Sequence, residues 1–193
     1  MSRPREFDID RALHQSMELF WTKGFKSTSF EDLTRTTQVK KQSLYCVFED
    51  KRALFLKALA LYRVQTIAVL EELSSQEVSP LIKLEAIRDV TLCRSNETHG
   101  RGCLMVNSSL EFGTGDEEVT REIEMMFTEV GQILEKVIRS GQEQQLITTR
   151  HTSQELAEYL RNALLGAKIM EKSGAPRERI DAVLRTTFAL LAP

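Results

Sequence analysis

From Ile9 onward the apolar side chains recur at helical spacing. Ile9, Ala12, Leu13, Met17 and Phe20 share one face of a 3.6-residue repeat, and Gly24 stands where that helix has to stop. The same recurrence returns at Leu84, Ile87 and Val90, then at Val119, Ile123, Met126, Val130 and Val137. It returns again at Leu156, Leu160, Ala163, Ala167 and Met170, and after Pro176 at Ile180, Val183, Leu184, Phe188 and Leu191. A half-buried strand needs apolar and polar residues to alternate, and no stretch does so convincingly. The chain is therefore predicted to be all-α, with about nine helices.

The most informative stretch follows the first helix. Thr28 and Glu31 have the spacing of a capping box, which opens a helix beside Phe30 that runs through Leu33 to about Thr37. A third helix is predicted from about Lys41 to Phe48, and Asp50 caps a longer one carrying Leu54, Ala58 and Leu61. Two short helices joined by so tight a turn and buttressed by a longer first helix form a helix-turn-helix. With Val39, Leu44 and Phe48 turned inwards, Lys40, Lys41, Gln42, Ser43, Tyr45 and Cys46 remain outside. That face offers cations for phosphate or guanine, an amide for adenine and hydroxyl donors, the groups a major groove is read with. A solvated helix surface would also be polar, and it is the context that favours DNA.

Charge supports the same placement. The formal net charge of −2 argues against indiscriminate polyanion binding. Residues 1–57, however, carry eleven Lys or Arg against eight Asp or Glu, a net +3, which leaves −5 for the remainder. An enzyme is disfavoured: His14, His99 and His151 lie far apart without a paired carboxylate motif, and neither a phosphate-cradling glycine loop nor a serine elbow is present. No cofactor is implied.

The N-terminal part resembles the TetR family of bacterial regulators over about residues 7–57. The resemblance rests on Leu19-Phe20-Trp21-Thr22-Lys23-Gly24-Phe25, on Thr28-Ser29, and on Leu44-Tyr45-Cys46-Val47-Phe48-Glu49-Asp50-Lys51-Arg52-Ala53-Leu54. It implies that Thr28, Tyr45 and Lys51 hold phosphates of double-stranded operator DNA. Lys40, Lys41, Gln42 and Ser43 would approach base edges or neighbouring phosphates. Three positions depart from the family pattern, Gln38 in the turn, Lys40 and Val47. Gln38 is expected to adopt a left-handed backbone at a cost of about 1 kcal/mol, and Lys40 to alter the preferred operator. Arg3-Pro4-Arg5 is either a minor-groove arm or a disordered end.

By the same resemblance residues 58–193 form a helical ligand-binding and dimerisation domain, and residues 1–57 the DNA-binding domain, of a homodimeric repressor. Ala157, Ala163, Gly166 and Ala167 would permit close helix approach, across a dimer or within the chain. The segment Gly100-Arg101-Gly102-Cys103-Leu104-Met105-Val106-Asn107 looks like a stretch of one subgroup that includes electrophile sensors and copper-responsive regulators. Cys103 is then either an accessible thiolate activated by nearby positive charge or a small buried hydrophobe at a helix entrance. The effector, a small molecule or an electrophile, has candidate contacts in Cys103, Met105, Asn107, Phe112, Met126 and Phe127. A metal set of Cys93, His99 and Cys103 follows no recognised spacing. Sparse cysteines, the lack of an apolar leader and the lack of about 18 uninterrupted apolar residues point to a cytoplasmic protein with no membrane partner.

Overall fold

The computed structural model describes residues 8–92 and 100–193. These residues form nine helices and no strand: α1 (Ile9–Lys23), α2 (Phe30–Thr37), α3 (Lys41–Phe48), α4 (Lys51–Ser75), α5 (Pro80–Thr91), α6 (Leu104–Phe112), α7 (Glu117–Glu143), α8 (Ser153–Lys172) and α9 (Arg177–Ala189). The all-α expectation holds. The Arg3-Pro4-Arg5 arm, and Cys93 and His99 of the metal set, lie outside the described residues.

Local chemistry accounts for most helix ends. Asp8 caps α1 by accepting the Arg11 N–H at 2.9 Å, and Gly24 closes it with φ 81°. Asp50 accepts the Ala53 N–H at 2.7 Å and opens α4. Thr152 and Glu155 form a reciprocal capping box at the start of α8, and the backbone and hydroxyl donors of Thr152 hold the Glu155 carboxyl below its usual range. Pro80 takes the first position of α5, where its missing N–H costs nothing. The cap of α2 differs from the expectation by one residue: the box is Ser29 with Asp32, not Thr28 with Glu31. Both pairs satisfy the spacing, but Thr28 spends its hydroxyl on the Gly24 carbonyl at 2.6 Å, and Asp32 is also paired by Lys23 and Arg35.

The chain divides into two compact units. One comprises the described residues to Val64 together with Leu104–Ile123; the other runs from Gln65 to Cys103 and from Glu124 to Pro193. The first unit thus extends beyond position 57 and recruits α6 and the start of α7. Its core includes Ala12, Met17, Phe20, Leu33, Leu44, Phe48, Leu54 and Phe55, all nearly inaccessible. Phe20, Phe25, Phe55 and Phe112 meet ring to ring at 4.9–6.2 Å. Arg52 grips Asp116 through two bonds of 2.7 and 2.8 Å and also pairs with Glu118. This pairing holds the Asp116 carboxyl below its ordinary value and raises the Arg52 guanidinium further.

The second unit has its own core, in which Leu70, Leu84, Ile87, Leu134, Ile138, Ile147, Leu160, Leu164, Ile180 and Leu184 are buried. Ala157 and Ala167 are buried here too, so these two small residues serve contacts within the chain. Helix α4 is long and apolar enough to cross a membrane by length and composition. Its Leu54, Phe55, Ala58, Leu59, Tyr62 and Leu70 are buried, and its Arg52 and Arg63 are ion-paired.

Candidate nucleic-acid interface

Helix α3 has eight residues, too few to persist alone, and it is held by its buried side. Leu44 and Phe48 are 1% and 2% exposed, each burial contributing roughly 1.5–3 kcal/mol. The turn before it depends on Gln38, which adopts φ 57°, ψ 22°, the left-handed conformation expected from the sequence. The Gln38 amide donates to the Arg35 carbonyl at 2.6 Å and so offsets part of the strain.

With that side buried, α3 turns Lys41, Gln42 and Cys46 to solvent, with Lys40 exposed at its N-cap position and Ser43 and Tyr45 half-buried. Lys41, Gln42, Tyr45 and Cys46 line a shallow depression. The Tyr45 ring stacks on Phe30 of α2 at 4.6 Å, and the Lys41 ammonium lies 5.1 Å from the Phe30 ring and 5.6 Å from that of Tyr45. Stacking limits the rotamers of Tyr45, and the cation rests against the aromatic faces. Of the α3-associated positions predicted from the sequence, Lys41, Gln42 and Tyr45 share one depression with Cys46. Phe30, which braces Tyr45, was not anticipated; its place next to the α2 cap was the available signal.

Thr28 and Lys51 are placed differently from the expectation that they reach outwards to phosphates. Thr28 is 1% exposed, with its hydroxyl donating inwards to Gly24. Lys51 donates to the carbonyls of Phe25 at 3.0 Å and Thr28 at 2.9 Å, and its ammonium sits 4.2 Å from the Phe25 ring. Two of its three N–H donors are thus committed to the α1–α2 corner. On the opposite side of that corner Glu111, also missed from the sequence, accepts the Phe25 and Lys26 N–H groups at 2.9 and 2.5 Å. No local pattern marks it, because its partners lie far away along the chain.

Asp32 joins α1 to α2. It accepts from Lys23 at 2.5 Å, from Arg35 at 2.6 Å, and from the Ser29 N–H and hydroxyl at 2.9 and 2.7 Å. The Lys23 ammonium first, and then the Ser29 donors, hold its carboxyl well below the usual carboxylate range.

The residues proposed from the sequence as effector contacts belong to both units, Met105, Asn107 and Phe112 to the first and Cys103, Met126 and Phe127 to the second. Met105 is fully buried, and Phe112 stacks on Phe55 and packs against Phe25 in the first unit. Met126 is buried in the second unit. There the Arg161 guanidinium lies 5.5 Å from the Phe127 ring and donates to the Phe127 carbonyl at 3.0 Å. Asn107 is half-buried on α6. Cys103 is 4% exposed just before α6, so the accessible thiol is corrected to the buried alternative, its side chain being covered at the helix entrance. No group of three or more His, Cys, Asp or Glu arranged to hold a metal occurs among the described residues.

Two family models match the chain. Residues 12–58 match the N-terminal model of bacterial regulatory proteins of the tetR family, and residues 80–187 match a tetracyclin repressor-like C-terminal domain. The HTH-type transcriptional repressor ComR of Escherichia coli (strain K12) is 27% identical over 190 residues, covering 97% of this chain and 90% of ComR. The uncharacterized HTH-type regulator YezE of Bacillus subtilis (strain 168) is 29% identical, covering 99% of this chain and all of YezE. Among solved structures, a cysteine mutant of the TetR family transcriptional regulator CifR, complexed with 26-base-pair double-strand operator DNA, superposes with a TM-score of 0.84 at 28% identity and complete coverage of both chains. The reduced form of NemR from E. coli shares the fold, with a TM-score of 0.85 at 24% identity over 95% of this chain and 96% of that one.

Proposed function

The chain belongs to the TetR family of bacterial regulatory proteins, and from that premise we propose that it is a cytoplasmic, homodimeric repressor that binds a palindromic operator through α3. The carrying observation is the outward face of α3, where Lys41, Gln42, Cys46 and a Tyr45 braced by Phe30 line one depression and Lys40 stands exposed at the N-cap. In this reading Lys41 and Tyr45 take phosphates, Gln42 and Ser43 meet base edges, and Lys40 shapes operator preference. Lys51 keeps one ammonium hydrogen for a phosphate, and Thr28 braces the corner from inside.

Repression is carried over from ComR, named a repressor, and operator binding from CifR, which was solved on operator DNA. Two recognition helices are needed to read a palindrome, so the reading requires a dimer. Tyr159 and Ile169 on α8, and Val183 on α9 with Leu190 at its end, are exposed apolar side chains that a second copy would cover. The DNA-reading role falls to the helix-turn-helix, with effector sensing and dimerisation in the C-terminal half. A bound small molecule would release DNA by favouring a spacing of the recognition helices that no longer fits successive major grooves. The burial of Cys103 counts against direct thiol attack as the route.

Fluorescence anisotropy with the DNA upstream of the protein's own gene, at two salt concentrations, tests this. Specific binding that Tyr45→Ala weakens, with a salt slope that falls by nearly one unit in Lys41→Ala, supports it. Binding indifferent to sequence at both salts would sink it. Adding a thiol-reactive electrophile to Cys46→Ser and to Cys46→Ser/Cys103→Ser separates modification of Cys103 from that of the exposed Cys46 on the DNA-reading face.

A further inference from the structure

We propose that Glu111, at the end of α6, is a positioning residue for DNA binding, its carboxylate fixing the α1–α2 corner on which the helix-turn-helix is set. The inference rests on the DNA-binding reading above. In the corner between α1 and α2 the N–H groups of Gly24, Thr28 and Ser29 find acceptors nearby, in the Phe20 and Phe25 carbonyls and the Asp32 carboxylate, whereas those of Phe25 and Lys26 turn to a distant residue. That residue is Glu111: one carboxylate oxygen takes the Phe25 N–H at 2.9 Å and the other takes the Lys26 N–H at 2.5 Å. Its main-chain carbonyl accepts the Lys26 ammonium at 2.8 Å.

The carboxylate also lies close to Gly24. A Cβ on Gly24 would lie 3.2 Å from Glu111 Oε2, and Gly24 also has φ 81°. The positive φ favours glycine there, and any Cβ would also press on the carboxylate, which would have to shift by a few tenths of an ångström. Phe112, the next residue, packs on Phe25 at 5.2 Å and stacks on Phe55 at 5.4 Å, so the end of α6 is registered by aromatic packing before the carboxylate is counted. A preorganised carboxylate receiving two N–H bonds holds the backbone more firmly than neutral or solvent acceptors would.

The corner leads directly into the DNA-reading element. It ends at Thr28 and at Ser29, the cap of α2, and α2 carries the Phe30 that supports Tyr45. Loosening the Phe25–Lys26 backbone therefore loosens the entry to α2. An amide in place of the carboxylate accepts one N–H and presents its own donors to the second, so Glu111→Gln breaks the bidentate grip at nearly constant volume.

Charge makes the test discriminating. Glu111→Gln removes a negative charge, which by long-range electrostatics alone would tighten DNA binding. The positioning role predicts the opposite sign: affinity for the upstream duplex about tenfold weaker, equivalent to ~1.4 kcal/mol. The salt slope should stay unchanged because no phosphate contact is lost. Amide hydrogen exchange at Phe25 and Lys26 should accelerate, and Glu111→Asp, which keeps a carboxylate on a shorter arm, should recover part of the affinity. If Glu111→Gln fails to fold by circular dichroism, an affinity for Glu111→Asp between those of the native protein and Tyr45→Ala supports the role, and native affinity overturns it. Native or tighter binding by folded Glu111→Gln, or unaltered exchange at Phe25 and Lys26, overturns the proposal. Should the native protein fail to distinguish the duplex from a scrambled one, Tyr45→Ala would change nothing either; the DNA-binding reading then falls and takes this role with it.

Discussion

Lys51 and Glu111 hold opposite ends of a single peptide group. The carbonyl of Phe25 accepts the Lys51 ammonium at 3.0 Å, and the N–H of Lys26, across the same peptide bond, donates to the Glu111 carboxylate at 2.5 Å. A peptide dipole is thereby aligned between a cation at its oxygen and an anion at its hydrogen, the favourable orientation at both ends.

Lys51→Met keeps the stem that packs on Phe25 but removes the ammonium from the Phe25 and Thr28 carbonyls. Hydrogen bonds to charged groups are worth about 1.5–3 kcal/mol, and Lys51 is only half-buried. A loss of about 1–2 kcal/mol is expected, read from urea unfolding as a lower midpoint at unchanged slope. A variant as stable as the native protein would show that water replaces the ammonium without cost.

Acid should weaken the α1–α2 junction through Asp32. Its carboxyl titrates well below the ordinary 3.8 in the folded protein because Lys23 and Ser29 stabilise the charged form. The unfolded chain therefore binds this proton first as pH falls. The contribution of Asp32 is complete above about 3.8 and is lost progressively as pH drops through the depressed folded value. Asp32→Asn should be less stable at neutral pH, with the difference from the native protein narrowing in strong acid. A difference that stays constant down to the acid transition would rule out this linkage.

Gln38→Gly should stabilise the turn. Glycine adopts the left-handed conformation seen at φ 57° without a Cβ penalty, a gain of about 1 kcal/mol that loss of the exposed bond to Arg35 only partly offsets. A net rise of about 0.5 kcal/mol in unfolding free energy is expected, while Gln38→Val should lower it. Thermal melts of the three proteins would order them, and a Val variant at or above the native melting temperature would contradict the strain argument.

Gly141→Ala should destabilise despite the better helix propensity of alanine. The added Cβ would meet Ile147 Cδ1 at 2.5 Å and Cγ1 at 2.8 Å, and Ile147 is 1% exposed within the core of the second unit. Overpacking of this kind costs about 1–3 kcal/mol, against a propensity gain of about 1 kcal/mol. Trimming the obstacle in Gly141→Ala/Ile147→Val should restore part of the loss, a double-mutant coupling measurable by chemical denaturation.

What the sequence determined by itself is what neighbouring residues decide among themselves. Helical periodicity excludes a sheet, Gly24 and Asp50 punctuate the first unit, Gln38 is forced left-handed in the turn, and the polar face of α3 follows once Leu44 and Phe48 are turned inwards. Where two local solutions were equally good, only three dimensions chose. The Thr28–Glu31 and Ser29–Asp32 boxes have the same spacing, and the ammonium of Lys23, brought onto Asp32 when α1 packs on α2, favours the second. The tertiary structure also decided that Phe112 belongs with Phe25 and Phe55, that Cys103 is covered, that Thr28 and Lys51 bond inwards to the corner, and that Glu111 grips that corner from 86 residues beyond Phe25. The physical reason is range: propensity and capping act over three or four residues and are written in the local pattern. A carboxylate that serves distant N–H groups leaves no local trace, because its partners become neighbours only when the helices pack.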